Sequence, residues 1–154
     1  MHNARREFLR SSAGLIAALM AAGFLRPGTV RAEEWNKAAF ASKSLEDLVK
    51  KLGGSGPAAS EDISIVAPEI AENGAVVPIG IVSSLPGTEA IAIAIEKNPN
   101  MLAASFDIPS GTLPEVQTRV KMAQTSNVFA LVKANGKFYY AAKEIKVTLG
   151  GCGG

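Results

Sequence analysis

From Ile63 onward apolar residues recur at alternate positions in short segments, each closed by Gly, Pro or Asn. Alternation at period two gives an extended strand one apolar face, and such strands bury that face by packing sheet on sheet. Ile63 and Ile65 alternate with polar neighbours. Ala75–Ser84 is an apolar run with Pro78 and Gly80 inside it, which predicts an edge strand or a bulge. Ala90–Ile95 alternates Ile with Ala, Asn98-Pro99-Asn100 reads as a turn, and Met101–Ile108 as the next strand. Val116, Thr118, Val120 and Met122 then line one face, with Gln117, Arg119 and Lys121 on the other. Val128–Lys133 and Lys137–Ala142 flank Ala134-Asn135-Gly136, where the Asn-Gly pair is the strongest hairpin signal in the chain. Ile145, Val147 and Leu149 form a last alternating row, with Leu149 as the last core residue. Six to eight short strands with no regular helix between them predict a mainly β, antiparallel β-sandwich. At 154 residues and 47% apolar, the chain holds enough for one core and too little for two.

A helical pattern precedes the strands, from Trp35 to about Leu52. Ser44 is placed to cap it with Asp47 three residues on, Leu45, Leu48, Val49 and Leu52 recur at helix spacing, and Lys50 and Lys51 stand where the dipole favours cations. Gly53-Gly54 ends the pattern, and a loop follows over Ser55–Ser60.

Residues 1–32 read as an export signal. Arg5 and Arg6 open the run RREFLR, an apolar stretch follows from Ala13 to Leu25, and Val30-Arg31-Ala32 offers a small-residue cleavage pattern. That stretch is 13 residues long, short of the roughly 20 a bilayer needs, so a cleaved signal is expected rather than a membrane anchor. Paired arginines before Phe8-Leu9 resemble a twin-arginine signal, which implies export to the bacterial periplasm in a folded state. The expected organisation is a signal over 1–32, a sandwich domain over 33–149 and a short arm over 150–154.

Charge and composition narrow the chemistry. The leader holds five of the 16 basic residues (Arg5, Arg6, Arg10, Arg26, Arg31) and one of the 14 acidic ones (Glu7), which leaves 11 basic against 13 acidic. The net charge of +2 therefore belongs to the signal, and no polyanion-binding surface remains, so nucleic acid is not an expected partner. The chain contains one Cys and one His, and His2 leaves with the leader. No Cys/His metal cluster can be assembled from such a chain, no Ser-His or Cys-His catalytic pair survives processing, and neither metal nor cofactor is expected.

The remaining chemistry lies in Gly150-Gly151-Cys152-Gly153-Gly154. Glycine loses the most entropy on ordering, so a cysteine flanked by four glycines is expected to stay mobile with its thiol accessible. Cys152 stands three residues past Leu149, a reach of roughly 10 Å. No Lys, Arg or His flanks it to favour the thiolate, so it reads as a carrier thiol that depends on partners for activation.

The Gly150–Gly154 motif, the twin-arginine leader and the stretch Ala67–Pro78 (APEIAENGAVVP) resemble the SoxY family, the substrate-carrying subunits of the SoxYZ complex of bacterial thiosulfate oxidation. The likeness spans the whole chain, and the tail is its most specific part. It implies an immunoglobulin-like sandwich paired with a SoxZ subunit, with Cys152 holding the sulfur substrate covalently on a swinging arm. It further implies a haem protein (SoxAX) that attaches thiosulfate, a hydrolase (SoxB) that removes the sulfone as sulfate and, in some organisms, a sulfane dehydrogenase (SoxCD). The chain itself would then be a carrier and not an enzyme.

Other readings stay open. Ubiquitin-like sulfur carriers also end in Gly-Gly, but they are activated with ATP and need no cysteine. An exported structural module joined through a Cys152 disulfide is the other alternative. Trp35 and Phe40 read as core or interface contacts, Phe138, Tyr139 and Tyr140 as a mixture of core and sheet-face residues, and Glu69 and Glu72 as a solvated turn.

Overall fold

The computed structural model describes residues 36–149. Helices α1 (Lys37–Phe40) and α2 (Leu45–Lys51) come first. They are followed by β1 (Ala58–Ala59), β2 (Ile63–Val66), β3 (Ile70–Ala71), β4 (Val77–Ser83), β5 (Thr88–Ile95), β6 (Leu102–Asp107), β7 (Glu115–Val120), β8 (Ser126–Ala134) and β9 (Lys137–Val147). The larger sheet has the order β1-β9-β8-β5-β6, with β3 also pairing to β9, and the smaller has the order β2-β4-β7. This is the strand order of an immunoglobulin-type sandwich, with β2, β4 and β7 as strands A, B and E facing β9, β8 and β5 as G, F and C, and β6 added as C′.

The Ile/Ala alternation of β5 shows how one strand serves two cores. Ile91, Ile93 and Ile95 point between the sheets, where they meet Ile79, Ile81, Val128, Val132 and Ile145. Ala92 and Ala94 point the other way and, being small, let Leu48 and Val49 of α2 pack down beside Leu131 and Phe138. Each fully buried Ile or Leu contributes roughly 1.5–3 kcal/mol to holding these layers together.

The expected single helix is two helices. Ser44 does cap as predicted, accepting from the Asp47 N–H at 3.1 Å, but a cap in the middle of the pattern starts a new helix. The chain turns between them at buried Ser42, whose carbonyl accepts from the Met101 N–H at 3.3 Å and ties the helical layer to the sheet. α2 ends in a Schellman arrangement: Gly53 adopts a φ of +82°, its N–H donates to the Lys50 carbonyl, and the Gly54 N–H donates to the Val49 carbonyl.

β4 is central in its sheet, not an edge. β2 reaches only as far as Gly80, so at Pro78 the strand has β7 on one side and nothing opposite on the other, and a missing N–H is tolerated there. The expected bulges occur instead in β5, where the register shifts at Thr88/Ala90 against β8 and at Ile93/Ala94 against β6. The ladders are antiparallel apart from the two short ones that β1 and β3 make with β9, which are parallel. Lys137–Ala142 and the Ile145–Leu149 row, which alternate separately in the sequence, join in one strand of 11 residues that ends at Val147.

Candidate functional site

β9 leads to the glycine-flanked cysteine, so the way it ends defines the site. It pairs with β8 from Lys137 to Ile145, where β8 runs out. Past that point β3 takes over, with Ile70 beside Lys146 and Ala71 beside Val147. The Lys146 N–H donates to the Glu69 carbonyl at 2.9 Å, the Thr148 N–H to the Ala71 carbonyl at 3.1 Å, and the Gly74 N–H to the Leu149 carbonyl at 2.7 Å. Thr148 Oγ1 adds a bond to the Glu72 carbonyl at 3.1 Å, and Lys143 Nζ reaches the Ala67 carbonyl at 2.6 Å. From the other side the Val147 N–H donates to Thr125 Oγ1 at 2.9 Å.

These bonds make residues 67–74 a clasp on the end of β9. The clasp is itself braced, because the carbonyl of buried Gly74 accepts from the Met122 N–H at 2.7 Å. The Met122 loop is held in turn by Asn98, which donates to the Lys121 carbonyl and accepts from the Ala123 N–H. The backbone is thus hydrogen-bonded as far as Leu149, three residues before the single cysteine.

The side chain of Leu149 is not the last core residue that the alternation predicts. It is 66% exposed, whereas Ile145 is fully buried and Val147 half-buried. β8 ends opposite Ile145 and β3 opposite Val147, so residue 149 lies past the last paired residue of both neighbouring strands.

Glu69 and Glu72 are exposed as expected of a solvated turn, yet their carbonyls carry two of the clasp bonds. Sequence reasoning missed the clasp, and the one pointer to it was the Asn73-Gly74 pair, where Asn73 Oδ1 accepts from the Ala75 N–H at 2.8 Å to form the turn. Phe138 is buried under α2, Tyr139 faces the inter-sheet core, and Tyr140 meets Phe129 edge-on at 6.1 Å. Phe40 packs against the helix-side core.

Among the described residues, two carboxylates are held below their usual range, and neither belongs to the clasp. They are Asp47, through its hydrogen bond from Lys51, and Glu89, through Lys133 and then the Gly136 N–H. Glu89 also borders a hollow of about 590 Å³ between Leu85, Ile108 and Thr112, at the hairpin end of the sandwich. Among the described residues no group of three or more His, Cys, Asp or Glu could hold a metal ion, and no helix is long and apolar enough to cross a membrane. Cys152, Gly150, Gly151, Gly153 and Gly154, the signal residues Arg5 and Arg6, and Trp35 lie outside the described residues.

Residues 49–152 match the family model of the sulfur oxidation protein SoxY, a span that begins inside α2 and closes on the single cysteine. The chain belongs to the SoxY family. The sulfur carrier protein SoxY from Chlorobium limicola f thiosulfatophilum is 43% identical, with 66% of this chain and 93% of that one covered at a TM-score of 0.60. A superoxide reductase (neelaredoxin) from Ignicoccus hospitalis, 20% identical over 56% of this chain and 80% of its own, has a TM-score of 0.50 and shares the sandwich fold alone. The comparison with curated proteins found no match.

Proposed function

We propose that this SoxY-family protein carries thiosulfate-derived sulfur as a covalent adduct on Cys152 and presents it to separate enzymes. The observation that carries this reading is the family match, which runs to Cys152, the only thiol in the chain. A backbone anchored through Leu149 and followed by paired glycines on each side of the thiol suits a short arm: fixed at its base, thin along its length.

The chemistry asks little of this chain. The Cys152 thiolate joins the sulfane sulfur of thiosulfate with loss of two electrons to an oxidising partner, giving Cys152–S–S–SO₃⁻. Water then attacks the terminal sulfur, releasing sulfate and two protons and leaving a persulfide on Cys152. A SoxAX-like haem protein would take the electrons, a SoxB-like hydrolase would direct the water, and a SoxCD-like sulfane dehydrogenase would oxidise the remaining sulfur. A SoxZ-like subunit is the proposed heterodimer partner. The periplasm, reached by the twin-arginine route through Arg5 and Arg6, is the proposed location. Covalent attachment keeps reactive sulfur from escaping between steps.

The test is the intact mass of the mature protein from cells consuming thiosulfate, before and after a thiol reductant, beside Cys152→Ser. Reductant-sensitive sulfane or thiosulfonate adducts that vanish in the variant are expected. A bare thiol or only a symmetric disulfide, while thiosulfate is being consumed, would overturn the reading in favour of a disulfide-linked structural module.

A further inference from the structure

The clasp contains one of the two Asn-Gly pairs in the chain, Asn73-Gly74; the other is Asn135-Gly136 at the hairpin. Asn-Gly is the dipeptide most prone to losing its side-chain amide, because a glycine without Cβ lets its own nitrogen approach the asparagine carboxamide. The reaction needs a free amide nitrogen on the glycine, an electrophilic Cγ and a backbone able to bend. In the folded protein Asn73 meets the second condition and is denied the first. Its Oδ1 accepts from the Ala75 N–H at 2.8 Å, which draws electron density from Cγ and stabilises the oxyanion formed on attack. Gly74 is buried, its N–H donates to the Leu149 carbonyl at 2.7 Å, and its own carbonyl accepts from the Met122 N–H at 2.7 Å. Asn135 is arranged differently: its Nδ2 donates to the Pro86 carbonyl at 2.9 Å, and the Gly136 N–H donates to the Glu89 carboxylate at 2.8 Å.

We propose that Asn73 is a site of spontaneous deamidation gated by the clasp: the bond from Gly74 to Leu149 restrains the reaction, and opening the end of β9 releases it. Asn73 itself is exposed, so water and base reach it. The clasp is joined to β9 by a ladder of two residue pairs, against nine pairs between β8 and β9, so it opens at less cost than the sheet. Once freed, the Gly74 nitrogen gives its proton to base and bonds to Asn73 Cγ. The Cγ–Nδ2 bond breaks, ammonia leaves, and a succinimide closes. Water opens the ring at either carbonyl to give aspartate or isoaspartate, with no change of oxidation state and a mass gain of about 1 Da. Aspartate keeps an acceptor for the Ala75 N–H. Isoaspartate adds a methylene to the backbone just ahead of Gly74 and shifts its N–H away from the Leu149 carbonyl, so this product leaves the clasp open and the modification runs one way.

The test incubates the mature protein in mildly alkaline buffer and follows Asn73 and Asn135 separately by peptide mass spectrometry with isoaspartate detection. In concentrated urea both pairs are expected to react at rates within about threefold of each other, and Asn73 in the folded parent at least about tenfold more slowly than in urea. Thr148→Val, which loses the bond to the Glu72 carbonyl, should speed Asn73 about two- to fivefold. Thr148→Pro, which also loses the N–H bonded to the Ala71 carbonyl, should speed it about tenfold, in step with hydrogen exchange at the Gly74 amide. Asn135 should respond to neither variant. Asn73→Ser, which keeps an oxygen for the Ala75 N–H but has no carboxamide, should form no product at this position. Reaction at Asn73 in the folded parent as fast as in urea would overturn the proposal, since the bond would then restrain nothing. So would an Asn73 rate that fails to follow Gly74 exchange across the parent and the two Thr148 variants. An equal acceleration at Asn135 would overturn it as well, because the whole domain and not the clasp would then be opening.

Discussion

At the scale of single residues, Gly53 and Gly54 look alike in the sequence and do different work. Gly53 is needed for its backbone: at a φ of +82°, with open space where a Cβ would stand, alanine there costs about 1 kcal/mol of conformational strain. Gly54 is needed for its missing side chain, because a Cβ would overlap the ring of buried Phe138 and reach Val49 as well. Gly54→Ala is expected to cost about 1–3 kcal/mol through overpacking, more than Gly53→Ala, and Phe138→Leu in the same chain should recover part of that loss. Urea unfolding midpoints of the three variants check this, and equal losses for the two alanine variants would contradict it. The helix stop was legible because Gly after Lys-rich last turns is a local signal. The reason for the second glycine was not, since Phe138 is distant in sequence.

Among the elements, the hairpin was the most legible part of the fold. Asn135 and Gly136 both take positive φ, 49° and 73°, and the turn closes where the dipeptide predicts. Less visible is that Glu89 at the start of β5 fastens this turn, accepting from the Gly136 N–H at 2.8 Å and pairing with Lys133 at 3.0 Å. These partners hold its carboxyl below the usual range, Lys133 first. A pKa lower in the folded than in the unfolded state adds stability above the ordinary glutamate value of about 4.5, and that stability fades as pH falls through the lowered folded value. Glu89→Gln is therefore expected to flatten part of the acid decline of the thermal midpoint between about pH 6 and 3, while a parallel offset at every pH would refute the linkage. The β9 row was split in the sequence because Lys143 interrupts its inward apolar positions, between Ala141 and Ile145. In the fold Lys143 keeps that position by sending its ammonium group to the Ala67 carbonyl, a partner no local pattern reveals. Pro78 misled in the same way: position within a sheet depends on which strand lies alongside, and β2 is short enough to leave that residue uncrossed.

On the scale of the whole molecule, what holds the end of β9, three residues before Cys152, came only with the tertiary structure. The clasp consists of backbone groups of a segment whose side chains are mostly exposed, joined to β9 by a parallel ladder of two residues. Carbonyls carry no sequence signature, so this part of the site was illegible even though the stretch Ala67–Pro78 stood out as a family resemblance. If the clasp holds the end of β9 on its own, loosening it should act locally. Thr148→Val removes the donor to the Glu72 carbonyl and keeps the side-chain shape, at a cost of about 0.5–1.5 kcal/mol for an ordinary hydrogen bond and toward the low end for this exposed one. The backbone amides of Gly74 and of residue 148, which bond the Leu149 and Ala71 carbonyls in the parent, should then exchange about two- to fivefold faster with solvent deuterium, with β8 and β5 amides unchanged. Uniform acceleration across both sheets would mean that the end of β9 unfolds only with the whole domain. No acceleration at Gly74 would mean that the 2.7 Å bond to Leu149 holds the end of β9 without help from Thr148.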